Sequence, residues 1–160
     1  MTAKTTSPTI YRLEPNRRGI IFMYAGFILL IVFIFGVVLG KLESCTLPFV
    51  IPLTVVAAYF FYMAYHIRLE VSPEGIEYFQ MGYHLKTTWD NVERVGMIPM
   101  GLLMAEGLIL RESALQGKML GRKNLERNRL DRAVPLTLFQ PWWRENGLGE
   151  EIKRYAPHLL

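Results

Sequence analysis

Two long apolar runs with almost nothing between them set what this chain can become. Residues 19–40 and 45–67 contain no Asp, Glu, Lys or Arg, and only Lys41, Leu42, Glu43 and Ser44 separate them. At the helical rise of 1.5 Å per residue each run reaches roughly 33 Å, just over the ~30 Å hydrocarbon core of a bilayer. Fifteen residues of the first run are Leu, Ile, Val or Phe, which favours insertion by roughly 4 to 9 kcal/mol with no charge to oppose it. A cleavable signal sequence has a shorter apolar stretch and a small-residue cleavage site. This run is longer and is followed at once by a second, so it is expected to stay as an anchor.

The second run carries Pro48 and Pro52 in its first two turns, where a missing backbone donor disrupts least. Tyr59, Phe60, Phe61, Tyr62 and Tyr65 crowd its other end, as aromatics do at headgroup level. A four-residue link forces a tight antiparallel helical hairpin over residues 19–67, with both termini on one side. The arm of residues 1–18 holds Lys4, Arg12, Arg17 and Arg18 against Glu14, whereas the link balances Lys41 with Glu43. The positive-inside rule therefore puts both termini in the cytoplasm. Apart from Thr46 at the loop edge and that aromatic cluster, Tyr24, Thr54 and His66 are the polar features along the spans, none an acid or base at the midplane, so an ion or proton path is not expected. Gly36 and Gly40 form a G-x-x-x-G pair that suits either close helix packing or the ordinary frequency of glycine in membrane helices.

From Arg68 onward the periodicity changes. Leu69 and Val71, then Ile76, Tyr78 and Phe79, flank the turn cluster Ser72, Pro73, Glu74, Gly75 and read as a β-hairpin. A second turn near Met81, Gly82 and Tyr83 leads to a strand over 85–89, and further strands are predicted over 94–98, 107–111 and 134–138. Residues 148–155 read as a terminal helix, with Leu148, Ile152 and Tyr155 or Ala156 on its inner face.

Several chemistries find no residues to carry them. One cysteine, Cys45, and three scattered histidines, His66, His84 and His158, make no metal-ligand spacing and no intrachain disulfide. Ser44, Ser72 and Ser113 have no histidine and acid in a nucleophile motif, and no glycine loop of phosphate-cradling form occurs. Asp90 and Glu93 are explained by a turn after Trp89. No cofactor and no catalysis are expected. The net charge of +4 is mild and suits a protein facing anionic lipid better than one wrapping nucleic acid.

The stretch LEVSPEGIEY over 69–78, followed by KTTWDNVERV over 86–95, resembles the opening of bacterial pleckstrin-homology-like (PH-like) domains. VPLTLF over 134–139 is similar to the last strand of that family, and residues 148–160 to its capping helix. Members often carry a helical membrane hairpin before the domain. The resemblance covers roughly residues 67–160. It implies a membrane helical hairpin plus an α+β domain at 68–160: an antiparallel half-open barrel of about seven strands capped by a C-terminal helix. It also implies a bacterial inner membrane, and it does not choose between a protein partner and a lipid surface.

Two segments depart from the minimal fold, and specific function is expected there. Residues 95–105 are uncharged and include Met97, Ile98, Met100, Leu103 and Met104. This is either a strand pair facing a core or an adaptable surface for other membrane subunits or a second copy. Pro99 and Gly101 are expected to break it into a loop. Residues 111–132 hold Arg111, Lys118, Arg122, Lys123, Arg127, Arg129 and Arg132 against Glu112, Glu126 and Asp131. Near a bilayer each such base contributes about 1 kcal/mol toward anionic lipid, so the expected roles are an anionic-lipid surface, a solvated loop, or a dock for an acidic protein. Of Trp142 and Trp143, one is expected over the barrel lip and the other in the core or at headgroup level. The leading expectation is an accessory or assembly component of a membrane complex; the alternative is an anionic-lipid sensor.

Overall fold

A computed structural model of the chain describes residues 7–38, 47–80, 82–100, 103–116 and 122–159. It falls into two compact units, one of two helices over 15–66 and one of strands and short helices formed by the flanking segments.

In the helical unit, α1 (Pro15–Val38) starts on a proline, whose fixed φ suits a first helical position. It is followed by α2 (Leu47–His66). Phe22 near the start of α1 stacks on Phe61 at 5.4 Å and lies 5.8 Å from Tyr65, both near the end of α2, so the helices pack antiparallel. Ala25 and Ala57 are fully buried, small side chains that let two helix backbones approach closely. Within α1, Pro15–Ile34 has a mean hydropathy of 2.0 and only 6% of it is buried. This is the one helix among the described residues long and apolar enough to cross a membrane. The apolar run of α2, Ile51–His66, is shorter. Gly40 and Cys45 lie outside the described residues, so the G-x-x-x-G pair has no structural placement.

The second unit is α+β with two antiparallel sheets. The larger has the order β1 (Thr9–Arg12), β2 (Arg68–Ser72), β3 (Gly75–Gln80), β4 (Tyr83–Thr87), β7 (Leu115–Gln116). The smaller has the order β5 (Val92–Met100), β6 (Leu103–Leu110), β8 (Ala133–Pro135). The sheets do not close into a barrel among the described residues. The β2–β3 turn falls where the Ser-Pro-Glu-Gly cluster puts it, with Ser72 pairing Gly75 in register. Period-two alternation then sends Leu69, Val71, Ile76, Tyr78 and Leu85 inward. Tyr78 pairs both Leu69 and Leu85, which makes one buried row across three strands. Asn91 ties the sheets together: its side-chain amide donates to Thr87 Oγ1 at 3.0 Å and its Oδ1 accepts from the Glu112 N–H at 3.0 Å.

The terminal helix α4 (Gly147–Tyr155) buries Leu148 and Ile152 completely, as its spacing predicts, together with Ala156 just beyond it. Trp143 is buried, whereas Trp142 is 73% exposed, so the tandem tryptophans divide and Trp142 has no place in the core. Trp143 Nε1 donates to Glu106 Oε2 at 3.0 Å, and Arg144 Nη2 donates to Glu106 Oε1 at 2.6 Å. The Arg144 hydrogen bond above all, with Trp143 adding to it, holds the Glu106 carboxyl below its ordinary value. A carboxyl depressed by folding stabilises the fold above its unfolded pKa of ~4.3, and that contribution fades as pH falls through the folded value. Glu106→Gln is therefore expected to flatten the pH dependence of stability below pH ~4.3, measured by fluorescence-detected urea unfolding across an acid series. An unchanged acid slope would remove Glu106 from the account.

Two expectations for the strands need correction. Residues 134–138 do not form one strand: β8 ends at Pro135, and the N–H groups of Leu136 and Thr137 both turn to the Glu106 carbonyl at 2.9 and 3.1 Å. Pro99 does not break the apolar stretch either. β5 runs through it to Met100, and because β5 is an edge strand a residue without an N–H is tolerated there. Gly101 lies outside the described residues.

Candidate functional site: an arginine-lined cleft beside the methionine strand

The two segments singled out by sequence meet in one place. Strand β5 pairs along β6 with Met97 opposite Glu106 and Pro99 opposite Met104. Residues two apart on a strand share a face, so Met97, Pro99 and Met104 form one strip. Met97 is 58% and Met104 60% exposed. The same alternation turns Ile98 inward, where it is buried and unavailable to a partner. Met100 is half-buried, and the Leu103 side chain lies outside the described residues.

At the other end of β5 the register shifts, with Val92 opposite Leu110 but Arg94 opposite Ile109, so Glu93 is an extra residue in a β-bulge. A bulge re-aims the side chains around it. Here Val92 stays buried while Glu93 and Arg94 line a cleft of about 810 Å³. The far wall comes from the segment between α3 (Arg122–Arg127) and β8. It supplies Arg129, Asp131 and Arg132, and Arg111 at the end of β6 completes the basic lining. Met97, Pro99 and Ile109 give the cleft an apolar side.

Hydrogen bonds fix the wall. Arg132 Nη1 donates to the Arg111 carbonyl at 3.1 Å, and its Nε lies 3.7 Å from Asp131 Oδ2. The Ala114 N–H donates to the Asp131 carbonyl at 3.0 Å. Asp131 is only 3% exposed, and its Oδ1 has no hydrogen-bond partner among the described residues. Arg129 is the one non-glycine residue among those described with a positive φ, 55°, a left-handed conformation that costs any residue with a Cβ some energy and recurs at ligand-holding positions. The side chains of Arg94, Arg111 and Arg129 have no ion-pair or hydrogen-bond partner among the described residues.

Of the basic residues picked out by sequence, Arg111, Arg129 and Arg132 line this cleft, whereas Lys123 and Arg127 are exposed on α3 outside its lining. Lys118 and the side chain of Arg122 lie outside the described residues. Arg94 was not singled out by sequence, because nothing in the run from Trp89 to Val95 marks the bulge that turns it. No group of three or more His, Cys, Asp or Glu that could hold a metal ion occurs among the described residues. No family model, no curated protein and no solved structure matches the chain.

Proposed function

We propose that this chain is a non-catalytic interaction module anchored in a bacterial inner membrane, an accessory or assembly subunit of a membrane protein complex. In this reading α1 and α2 both cross the bilayer as a hairpin. The flanking segments form a PH-like half-open barrel on the cytoplasmic side, with α4 as its capping helix. The connectivity supports the hairpin: the chain enters α1 from β1 and leaves α2 into β2, and β1 and β2 pair with each other, Arg12 opposite Arg68. Two antiparallel sheets with a terminal helix packing Leu148 and Ile152 inward support the PH-like reading.

The observation that carries the interaction role is the exposed strip of Met97, Pro99 and Met104 on an edge hairpin. Methionine side chains are flexible and polarisable and fit themselves to partner surfaces. The test is purification of the full chain from its native membrane in mild detergent, followed by native mass spectrometry. The expected result is a stoichiometric membrane-protein complex that Met97→Glu and Met104→Glu each weaken at least tenfold, since each variant buries an uncompensated charge in the interface. Tryptophan emission should be unchanged, which shows that the variants fold. A chain recovered alone, or a complex indifferent to both substitutions, would refute the reading.

A further inference from the structure

The arginine cleft asks for a ligand of its own. Three of its guanidinium groups, on Arg94, Arg111 and Arg129, have no partner among the described residues, and the fourth, on Arg132, is held against the Arg111 carbonyl and Asp131. Guanidinium is a planar fork of N–H donors that matches phosphate oxygens two at a time. A lining of four arginines against Glu93, Glu126 and Asp131 carries net positive charge. Asp131 Oδ1 is closed to solvent and so to a ligand in the cleft, and the Asp131 carboxylate instead braces Arg132 in the wall. The complement is a ligand that carries a phosphate.

The third feature is direction. Along β5 the wall changes from Arg94 to Met97 and Pro99, three to five residues on, about 10–17 Å at the rise of an extended strand. A volume of about 810 Å³ lies within the usual range for small-molecule sites. We propose that this cleft is a specific site for an amphiphilic phosphate ester. Its phosphate is held by Arg94, Arg111 and Arg129, and its apolar part lies along Met97 and Pro99. A membrane glycerophospholipid and a soluble phosphate ester share this headgroup chemistry. The apolar end favours the lipid. The site shares Met97 and Pro99 with the partner-binding strip, but its determinant is the arginine wall, so substitutions at Arg94 and Arg129 test it separately from Met97→Glu and Met104→Glu.

Arg129→Gly makes an unusually clean test. Its left-handed φ of 55° is one that glycine adopts freely, so the guanidinium is removed while backbone strain is relieved. The experiment is isothermal titration calorimetry of the full chain in uncharged detergent with short-chain phosphatidylglycerol, and in parallel with glycerol phosphate. Saturable binding of the phosphatidylglycerol is expected, weakened roughly tenfold to a hundredfold by Arg129→Gly and by Arg94→Gln, the usual loss for a charged hydrogen bond. Lys123→Gln and Arg127→Gln, outside the cleft, should change affinity less than twofold. Glycerol phosphate, with no apolar part to lie along Met97 and Pro99, is expected to bind more weakly, and equal affinity would overturn the amphiphilic assignment. The proposal is overturned if neither probe saturates. It is equally overturned if Arg129→Gly and Arg94→Gln bind as the parent does, or if Lys123→Gln and Arg127→Gln lose as much as the cleft variants, which is the signature of diffuse surface charge.

Discussion

Gly107→Ala is expected to abolish or severely impair folding of the β unit, while Gly96→Ala, its partner directly across the strand pair, is tolerated. The two glycines face each other in the β5–β6 register. A Cβ on Gly107 would sit 2.1 Å from the Val134 carbonyl oxygen and 2.8 Å from the Pro135 Cα, so the backbone of β8 would have to move. A Cβ on Gly96 would meet only the Ile109 side chain, with its Cδ1 at 2.7 Å, the far end of a side chain that can turn away. Close-packed interiors transmit an added methyl into strain, typically 1–3 kcal/mol and more when backbone must shift. The expected cost is about 3 kcal/mol or more for Gly107→Ala and under ~1 kcal/mol for Gly96→Ala. At ~4–8 °C per kcal/mol for a domain of this size, the first lowers the melting temperature by about 12 °C or more. All three tryptophans, Trp89, Trp142 and Trp143, lie in the β unit, so their emission reports its unfolding in detergent without interference from the helices. Equal melting temperatures for the two variants would show that β8 does not pack against Gly107 as closely as the structure has it.

Where a structural device is local, the sequence carried it openly. The Ser72–Gly75 turn names its own hairpin, because a short polar cluster between two alternating runs has few other conformations. The α4 face was readable for the same reason, since Leu148 and Ile152 fall one helical turn apart. What depended on distant pairing was hidden. Thr9–Arg12 reads as part of an arm, yet it is strand β1 because β2, far along the chain, offers it a ladder. Leu136 and Phe139 look like a continuing strand, yet they are buried in a turn that the Glu106 carbonyl organises.

The candidate site divides along the same line. Charge counting found Arg111, Arg129 and Arg132, because an excess of bases in one segment is a property of composition. It could not find Arg94, which reaches the cleft through a one-residue register shift at Glu93. Nor could it tell Ile98 from Met97 or Asp131 from Glu112. In both pairs the residues are of like chemistry, and only strand alternation or loop packing buries one and exposes the other.

Adjacent tryptophans should respond to substitution in opposite ways. Trp143 is among the largest fully buried side chains, with only 1% of its surface exposed. Replacing it with alanine opens a cavity under the 3-10 turn Trp143–Glu145 and α4, a change that costs about 3–5 kcal/mol. The loss does not end with volume. Glu106 Oε2 would lose the indole N–H that it accepts at 3.0 Å, and the cation–π contact with the Arg144 guanidinium, 5.0 Å above the Trp143 ring, would go as well. Arg144 would then hold Glu106 by a partly exposed ion pair, and such pairs contribute little by themselves. The packing of α4 is the next casualty, because the helix lies directly on the backbone of residue 143, where a Cβ on Gly149 would be 2.3 Å from the carbonyl oxygen, so a shift of that backbone into the cavity reaches the helix. Trp142→Ala removes a ring that is mostly in contact with solvent, so it should change stability by under ~0.5 kcal/mol. Hydrogen exchange of the full chain in detergent reads both results at once. Trp143→Ala should strip protection from the amides of α4 and of β6 around Glu106, whereas Trp142→Ala should leave both as they are. Retained protection in α4 after Trp143→Ala would mean that the helix is held by Leu148 and Ile152 alone, and that the Trp143–Glu106–Arg144 cluster does not fasten it.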